Sequence, residues 1–280
     1  MLGQASVDFY VQFSLEAALT GITVNFPSGD AGDHTVGGTD LASKTVDFPA
    51  DVPYVAGVGG SSILINSRGK RRAEYGWQNA DAGLSPDRLS WTPAPPGSYS
   101  SGGGGGTSVL FAQPFYQAGH VPASISEYFG GQPARAVPDI AMAGDPNTGF
   151  EVGQTQAFPD GTYWDQYRVG GTSLSSALLA GVIAVADQLG HRSLGYLNPL
   201  YYALLHTSAY YDVTAPTAPL AEVRTDFRNF LDSSHGYLSR LRTIDVQTST
   251  LRSTPGYDDE TGVGTPGPSF FPLLVAAGHR

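Results

Sequence analysis

The sequence predicts an α/β fold built on a mainly parallel sheet. Short β-branched or aromatic runs alternate with apolar helical stretches along its 280 residues. That length suffices for one large domain whose core needs neither metal nor disulfide. Glycine (36) and proline (20) make up one fifth of the chain, while 41% is hydrophobic and 14% charged. Such a composition gives frequent turns and close backbone packing without the signature of disorder.

The elements follow in order. Residues 13–19 suit a short helix that Gly21 ends. Residues 22–26 form a β-branched and aromatic strand, which runs into the turn 27–32 where two glycines permit positive φ. A second buried strand spans 54–58 and ends at Gly59 and Gly60. The charged segment 67–92, which contains tryptophan, reads as a surface excursion. Residues 137–141 form a third strand followed by the turn 145–149, and residues 167–169 a fourth. An apolar helix over 174–189 ends at Gly190. Another helix starts after Asn198 and Pro199, with Asn198 as its cap. From 215 to 253 no clean period is present, and the stretch reads as an irregular insertion with one helix near 221–231. Residues 254–266 make a turn-dense acidic loop.

Composition also excludes classes of function. There are no cysteines, so disulfides, thiolate metal sites and a cysteine nucleophile are ruled out. The formal charge of -10 opposes extended contact with nucleic acid or an anionic membrane surface. Apolar stretches such as 177–186 fall short of the roughly 18 to 20 residues that cross a bilayer. Residues 1–8 lack a basic start and an apolar run, so no signal peptide is visible. The start reads either as that of a cytoplasmic protein or as a point part-way through a longer precursor. His120, His191, His206, His235 and His279 have no mutual spacing that suggests a metal site.

Ser173 stands where glycines end and an apolar helix begins, beside backbone N–H groups that lack intrahelical acceptors. The position suits a nucleophile, and equally an ordinary serine cap. The glycine run 102–106 reads either as a flexible linker or as a backbone surface that a ligand approaches closely.

Gly170-Gly171-Thr172-Ser173 followed by small apolar residues resembles the nucleophile segment of the sedolisin family, the serine-carboxyl peptidases. Further blocks keep the family's order. They are the strand and Ser28-Gly29-Asp30 turn, the block 48–60, Ser100-Ser101-Gly102-Gly103-Gly104, Pro138-Asp139 with Asp145-Pro146-Asn147, and Leu197-Asn198-Pro199. The resemblance implies a subtilisin-like three-layer architecture in one peptidase domain over 1–280, with the fold's N-terminal strands and helices falling before residue 1. It implies Ser173 as nucleophile and Asp30 as the oxyanion-hole acid. It places Ser101, Gly102, Gly103 and Gly104 along a peptide or protein substrate, in an extracellular setting. It also implies Ca2+ held by the carboxylates of Asp212 and Asp258 with the carbonyls of Val213, Thr254 and Gly256. Read by itself, that acidic turn is a solvated loop.

The family's glutamate and aspartate base pair has no counterpart here. Glu16 is followed by Thr20 rather than by a carboxylate, and reads as a solvent-facing helix residue. A serine hydroxyl needs a partner to take its proton. The isolated chain is therefore expected to be nearly inactive, with an N-terminal fragment of the same precursor supplying both carboxylates and acidic pH favouring the reaction. Two alternatives stand beside this reading. One is a fragment or degenerate homologue that binds peptides without cleaving them. The other is a subtilisin-type peptidase using His34.

Overall fold

The computed structural model describes residues 3–229 and 232–278. Helix α1 (Gln4–Leu19) leads into strand β1 (Asn25–Pro27), followed by β2 (Ala56–Ile65), β3 (Arg71–Gly76), β4 (Gln78–Leu84), β5 (Trp91–Thr92), β6 (Ser98–Gly102) and β7 (Gly106–Ala112). The short helix α2 (Ala123–Ser126) precedes β8 (Ala134–Val137), β9 (Ile140–Ala143), β10 (Phe150–Phe158) and β11 (Gly161–Val169). Helices α3 (Thr172–Gly190) and α4 (Asn198–Ala203) are followed by β12 (Tyr210–Tyr211), β13 (Leu220–Phe227), β14 (Tyr237–Ile244), β15 (Thr265–Pro266) and α5 (Phe270–Gly278).

The predicted α/β class is borne out. β1, β2 and β9 are parallel neighbours, with Asn25 opposite Ala56 and Val58 opposite Ile140. The two stretches expected to share a sheet, 22–26 and 137–141, do so through Asn25, Phe26, Ile140 and Ala141. β3 adds an antiparallel partner along the far half of β2. α3 packs on all three parallel strands and on α5. Ala56, Val58, Ile140, Leu179, Leu197, Tyr201, Tyr202 and Phe270 meet in the core.

Under this sheet lies a buried polar network. Arg135 forks onto both oxygens of Asp139 at 2.8 and 2.5 Å, and both side chains are fully buried. Asp139 also accepts from the Gly57 N–H and the Tyr202 hydroxyl. Asn198, expected to cap α4, instead donates to the Val55 carbonyl, and Leu197 takes the cap position. An inward amide holding an orphan strand carbonyl outweighs a cap that Pro199 makes less necessary, because proline has no N–H to satisfy.

Three other expectations are corrected. The first helix starts at Gln4, well before residue 13, since no glycine or proline interrupts it. The third strand is two, β8 and β9, broken at Pro138, which lacks a ladder donor. Segment 67–92 is no surface excursion throughout: Trp77, Gln78 and Asn79 are buried. Residues 167–169 are a strand as expected, the end of β11, which pairs antiparallel with β10.

The stretch 215–253 carries a second hairpin rather than a helix, β13 with β14, which adds to β4 to build an antiparallel sheet. Its strand alternates half-buried Glu222, Arg224 and Asp226 with exposed Ala221, Val223, Thr225 and Phe227. That period of two identifies a strand, but the half-buried members are charged and so hide it from a search for apolar alternation. Leu231, where the expected helix would end, and His279 lie outside the described residues.

By length and composition α3 could cross a membrane, contrary to the expectation that no stretch is long enough, because its glycine, serine and alanine residues interrupt the apolar run without breaking the helix. Only 28% of its most apolar window is buried. Ser173, Ala177, Ala180, Gly181, Ala184, Val185, Gln188 and Leu189 are exposed, a stripe three to four residues apart along one face.

Candidate active site

Two short turns meet at the start of α3. Gly171 precedes the helix with φ 96, a conformation suited to glycine, and supplies no side chain to cap it. Asp30, 142 residues away, does so: the Thr172 N–H donates to Asp30 Oδ1 at 2.7 Å. A carboxylate there satisfies an orphan donor and faces the positive end of the helix dipole.

Thr172 fastens the turns together. Its hydroxyl lies 2.9 Å from Asp30 Oδ1 and 3.1 Å from the Gly29 carbonyl, and accepts from the Gly29 N–H at 3.0 Å. Thr172 is buried, whereas Ser173 and Asp30 are exposed. The structure thus brings the two expected catalytic residues to adjacent positions with their side chains open to solvent. Among the described residues the Ser173 hydroxyl has no hydrogen-bond partner. Thr172 was missed in the sequence because its role depends on a contact 143 residues away.

The glycine run is neither linker nor free surface along its length. Gly103 and Gly104 donate to the carbonyls of Trp77 and Gly29, and Gly102 donates to that of Asp30. A Cβ on Gly104 would stand 1.8 Å from the Ser28 carbonyl oxygen. Close backbone approach is the reason for glycine here, and the approaching backbone is the chain's own. Ser101 remains half-buried on β6, which pairs with β4 along one edge.

His34 Nε2 lies 3.0 Å from Asp47 Oδ1 and makes no hydrogen bond to Ser173. Glu16 is exposed on α1 and accepts from Gln12, as a helix-surface residue.

The residues expected to hold calcium converge on one turn. Both Asp212 oxygens accept the Gly256 N–H at 3.1 Å, and Asp258 Oδ2 accepts from the Thr254 N–H at 3.3 Å. Val213 is buried beside Asp212. The Asp258 carboxyl is fully buried, and burial pushes its pKa well above the ordinary carboxylate value, with the neighbouring Asp259 charge adding to the rise. Two carboxylates flanking a turn rich in backbone carbonyls form an all-oxygen donor set, and a cation would relieve the buried charge of Asp258. Among the described residues no three His, Asp or Glu side chains group in a metal-holding arrangement, so such a site depends on carbonyls and water.

No family model matches the chain. It is 30% identical over 256 residues to kumamolisin of Bacillus sp. (strain MN-32), covering 90% of this chain and 36% of that protein. It is 30% identical over 281 residues to tripeptidyl-peptidase 1 of Homo sapiens, and 28% over 279 residues to that of Rattus norvegicus; each match covers 93% of this chain and 38% of the relative. The fold matches that of Pseudomonas sedolisin, a serine-carboxyl proteinase solved with two molecules of pseudo-iodotyrostatin. The TM-score is 0.62 and the identity 22%, over 95% of this chain and 58% of that one. The chain is a sedolisin-family homologue. It spans 36–38% of the length of these curated relatives. The family resemblance read from the sequence blocks is borne out.

Proposed function

We propose that this sedolisin homologue is the nucleophile-bearing part of a serine-carboxyl peptidase acting outside the cell at acidic pH. The observation that carries the reading is the meeting of Asp30 with the Thr172–Ser173 turn across 142 residues of sequence. Ser173 attacks the scissile carbonyl of a peptide or protein substrate to form an acyl-enzyme. Asp30, when protonated, donates to the developing oxyanion, together with the Ser173 backbone N–H. The family resemblance places the substrate backbone along Ser101 and Gly102 to Gly104; the N–H groups of Gly102 to Gly104 already donate to Asp30, Trp77 and Gly29, so half-buried Ser101 is the residue left to meet it.

The proton acceptor comes from an upstream segment that carries the glutamate and aspartate. Three observations support a partner here. Among the described residues Ser173 has no base within hydrogen-bond reach and β1 pairs with β2 alone, and the exposed stripe of small and apolar residues on α3 begins at Ser173 itself. The stripe's small residues let another element approach closely.

Ca2+ fits the 212–213 and 254–258 turns. When bound it ties the C-terminal loop to the segment after α4, through Asp212, Asp258 and the carbonyls of Val213, Thr254 and Gly256.

The deciding assay compares the isolated chain, the chain with its upstream segment, and Ser173→Ala of that pair, between about pH 3 and 7. Cleavage by the pair with an acidic optimum, abolished by Ser173→Ala, is expected. Robust hydrolysis by the isolated chain would place the base within it, with His34→Ala as the next variant. Peptide binding without cleavage by the pair would favour the non-catalytic reading.

A further inference from the structure

A cavity of about 520 Å³ lies near the turns that hold Asp30 and Ser173, neither of which lines it. Ser100 and Ser101 line it, next in sequence to Gly102, whose N–H donates to the Asp30 carbonyl. Pro146 and Asn147 line it too, and a Cβ on Gly170 would stand 2.4 Å from the Pro146 nitrogen. Two of the lining segments therefore adjoin residues that hold the turns of the site. Its remaining walls come from Asp81 of β4 and from strands β11, β13 and β14.

Strand β13 of the second hairpin is inverted relative to an ordinary amphipathic strand. The hairpin's half-buried residues Glu222, Arg224, Asp226, Arg240 and Arg242 are charged, while Val223, Phe227 and Tyr237 are exposed. Placing charges on the inner side costs desolvation and is informative where it lines a cavity.

Arg224 and Arg242 converge on one carboxylate. Arg224 Nε donates to Asp226 Oδ1 at 2.6 Å, while Arg242 Nη2 stays 3.9 Å from Asp226 Oδ2, too far for a hydrogen bond. Arg242 Nη1 donates to Asn147 Oδ1 at 2.6 Å, and its Nε is buried with no acceptor. Asp81 and Glu222 act on Arg242 through space, yet neither accepts a hydrogen bond from it. At the mouth, Asp165 accepts from the Gln166 N–H and Arg168 donates to the Asn147 carbonyl. Among the described residues guanidinium N–H groups are thus left without acceptors, in a planar geometry that matches a carboxylate, while Asp81 Oδ1 and Glu222 Oε1 are buried without donors.

We propose that this cavity is a side-chain subsite for an acidic residue of a bound peptide, glutamate above all, read by Arg224 and Arg242. Its role in peptide selection rests on the peptidase reading, but its affinity for a carboxylate does not. The probe is therefore a single capped amino acid, acetyl-glutamate methylamide, with the glutamine, leucine and lysine analogues as comparisons. The readout is the Nε–Hε NMR signals of arginine in the intact chain near neutral pH. The glutamate analogue should shift the Arg224 and Arg242 signals saturably and bind about tenfold tighter than the glutamine analogue, as charge-assisted pairing implies. Arg224→Gln should abolish the preference; because Arg224 is about one-third exposed, the test survives even if Arg242→Gln fails to fold. Equal binding of glutamate and glutamine, tighter binding of lysine, or a response unchanged by Arg224→Gln would overturn the proposal. Glutamate binding without peptide cleavage by the complemented chain would sink the peptidase reading alone.

Discussion

Thr172→Val tests how the two halves of the site are held together. The replacement keeps the shape of a buried side chain and leaves the Asp30 carboxyl and the Ser173 hydroxyl intact. It removes a hydroxyl that accepts from the Gly29 N–H and donates to either Asp30 Oδ1 or the Gly29 carbonyl. One proton serves one of those acceptors at a time, so two hydrogen bonds are lost together. The donated bond is worth about 1 kcal/mol, and stranding the part-buried Gly29 N–H costs about 1–2 kcal/mol more, for a loss of about 2–3 kcal/mol. Thr172→Ser is the control: it keeps both bonds and loses one methyl group, about 1 kcal/mol. Urea unfolding of the isolated chain with two probes gives the comparison. If valine costs no more than serine, Thr172 does not fasten Asp30 to α3, and the geometry proposed for the oxyanion hole loses its support.

Two further outcomes concern metal and acid. If Ca2+ holds the 212–258 turns, chelation should lower the melting temperature and millimolar calcium should restore it, while Asp258→Asn should remove the response. Burial raises the pKa of Asp245 to about 6, and that of Glu260 well above its usual value, with the Asp245 charge as a second cause for Glu260. A raised folded-state pKa means that the fold holds these protons more tightly than the unfolded chain does. The contribution of Asp245 to stability is complete below about pH 4, where its unfolded carboxyl titrates, and is lost as pH rises through about 6. Asp245→Asn should flatten the decline in urea midpoint between pH 4 and 7; an unchanged slope would mean that Asp245 does not titrate there.

The sequence made the site more legible than its surroundings. A serine after two glycines, ahead of small apolar residues, marks a helix start whatever its chemistry, and α3 runs over Thr172–Gly190 much as expected. The Asp30 turn was readable for the same local reason. What stayed hidden depends on partners distant in sequence. Gly104 looks like linker until the Ser28 carbonyl is seen against it. The charged inner face of β13 defeats a search for apolar alternation, because the cavity it lines is polar. Trp77 lies in a charged, turn-rich segment, and its ring is buried against Gly60 and Gly144, distant in sequence.

The uncovered face of α3 leads to the last prediction. Val185 and Leu189 are 44% and 57% exposed, on a helix whose other side packs against β1, β2 and β9. An apolar stripe of this length beside an unpaired strand edge is unusual for a monomer, and marks a surface meant to be covered. The isolated chain should bind a hydrophobic dye and associate as its concentration rises. Covering the stripe with the upstream segment should suppress both. Val185→Lys separates this from general instability. A charge at an exposed position should change the stability of the isolated chain by no more than about 0.5 kcal/mol. The same charge buried in the complemented form has no partner, so association with the upstream segment should weaken by tenfold or more. Undiminished complementation by Val185→Lys would show that the stripe faces solvent in the assembled protein, and that the proton acceptor for Ser173 arrives over some other surface.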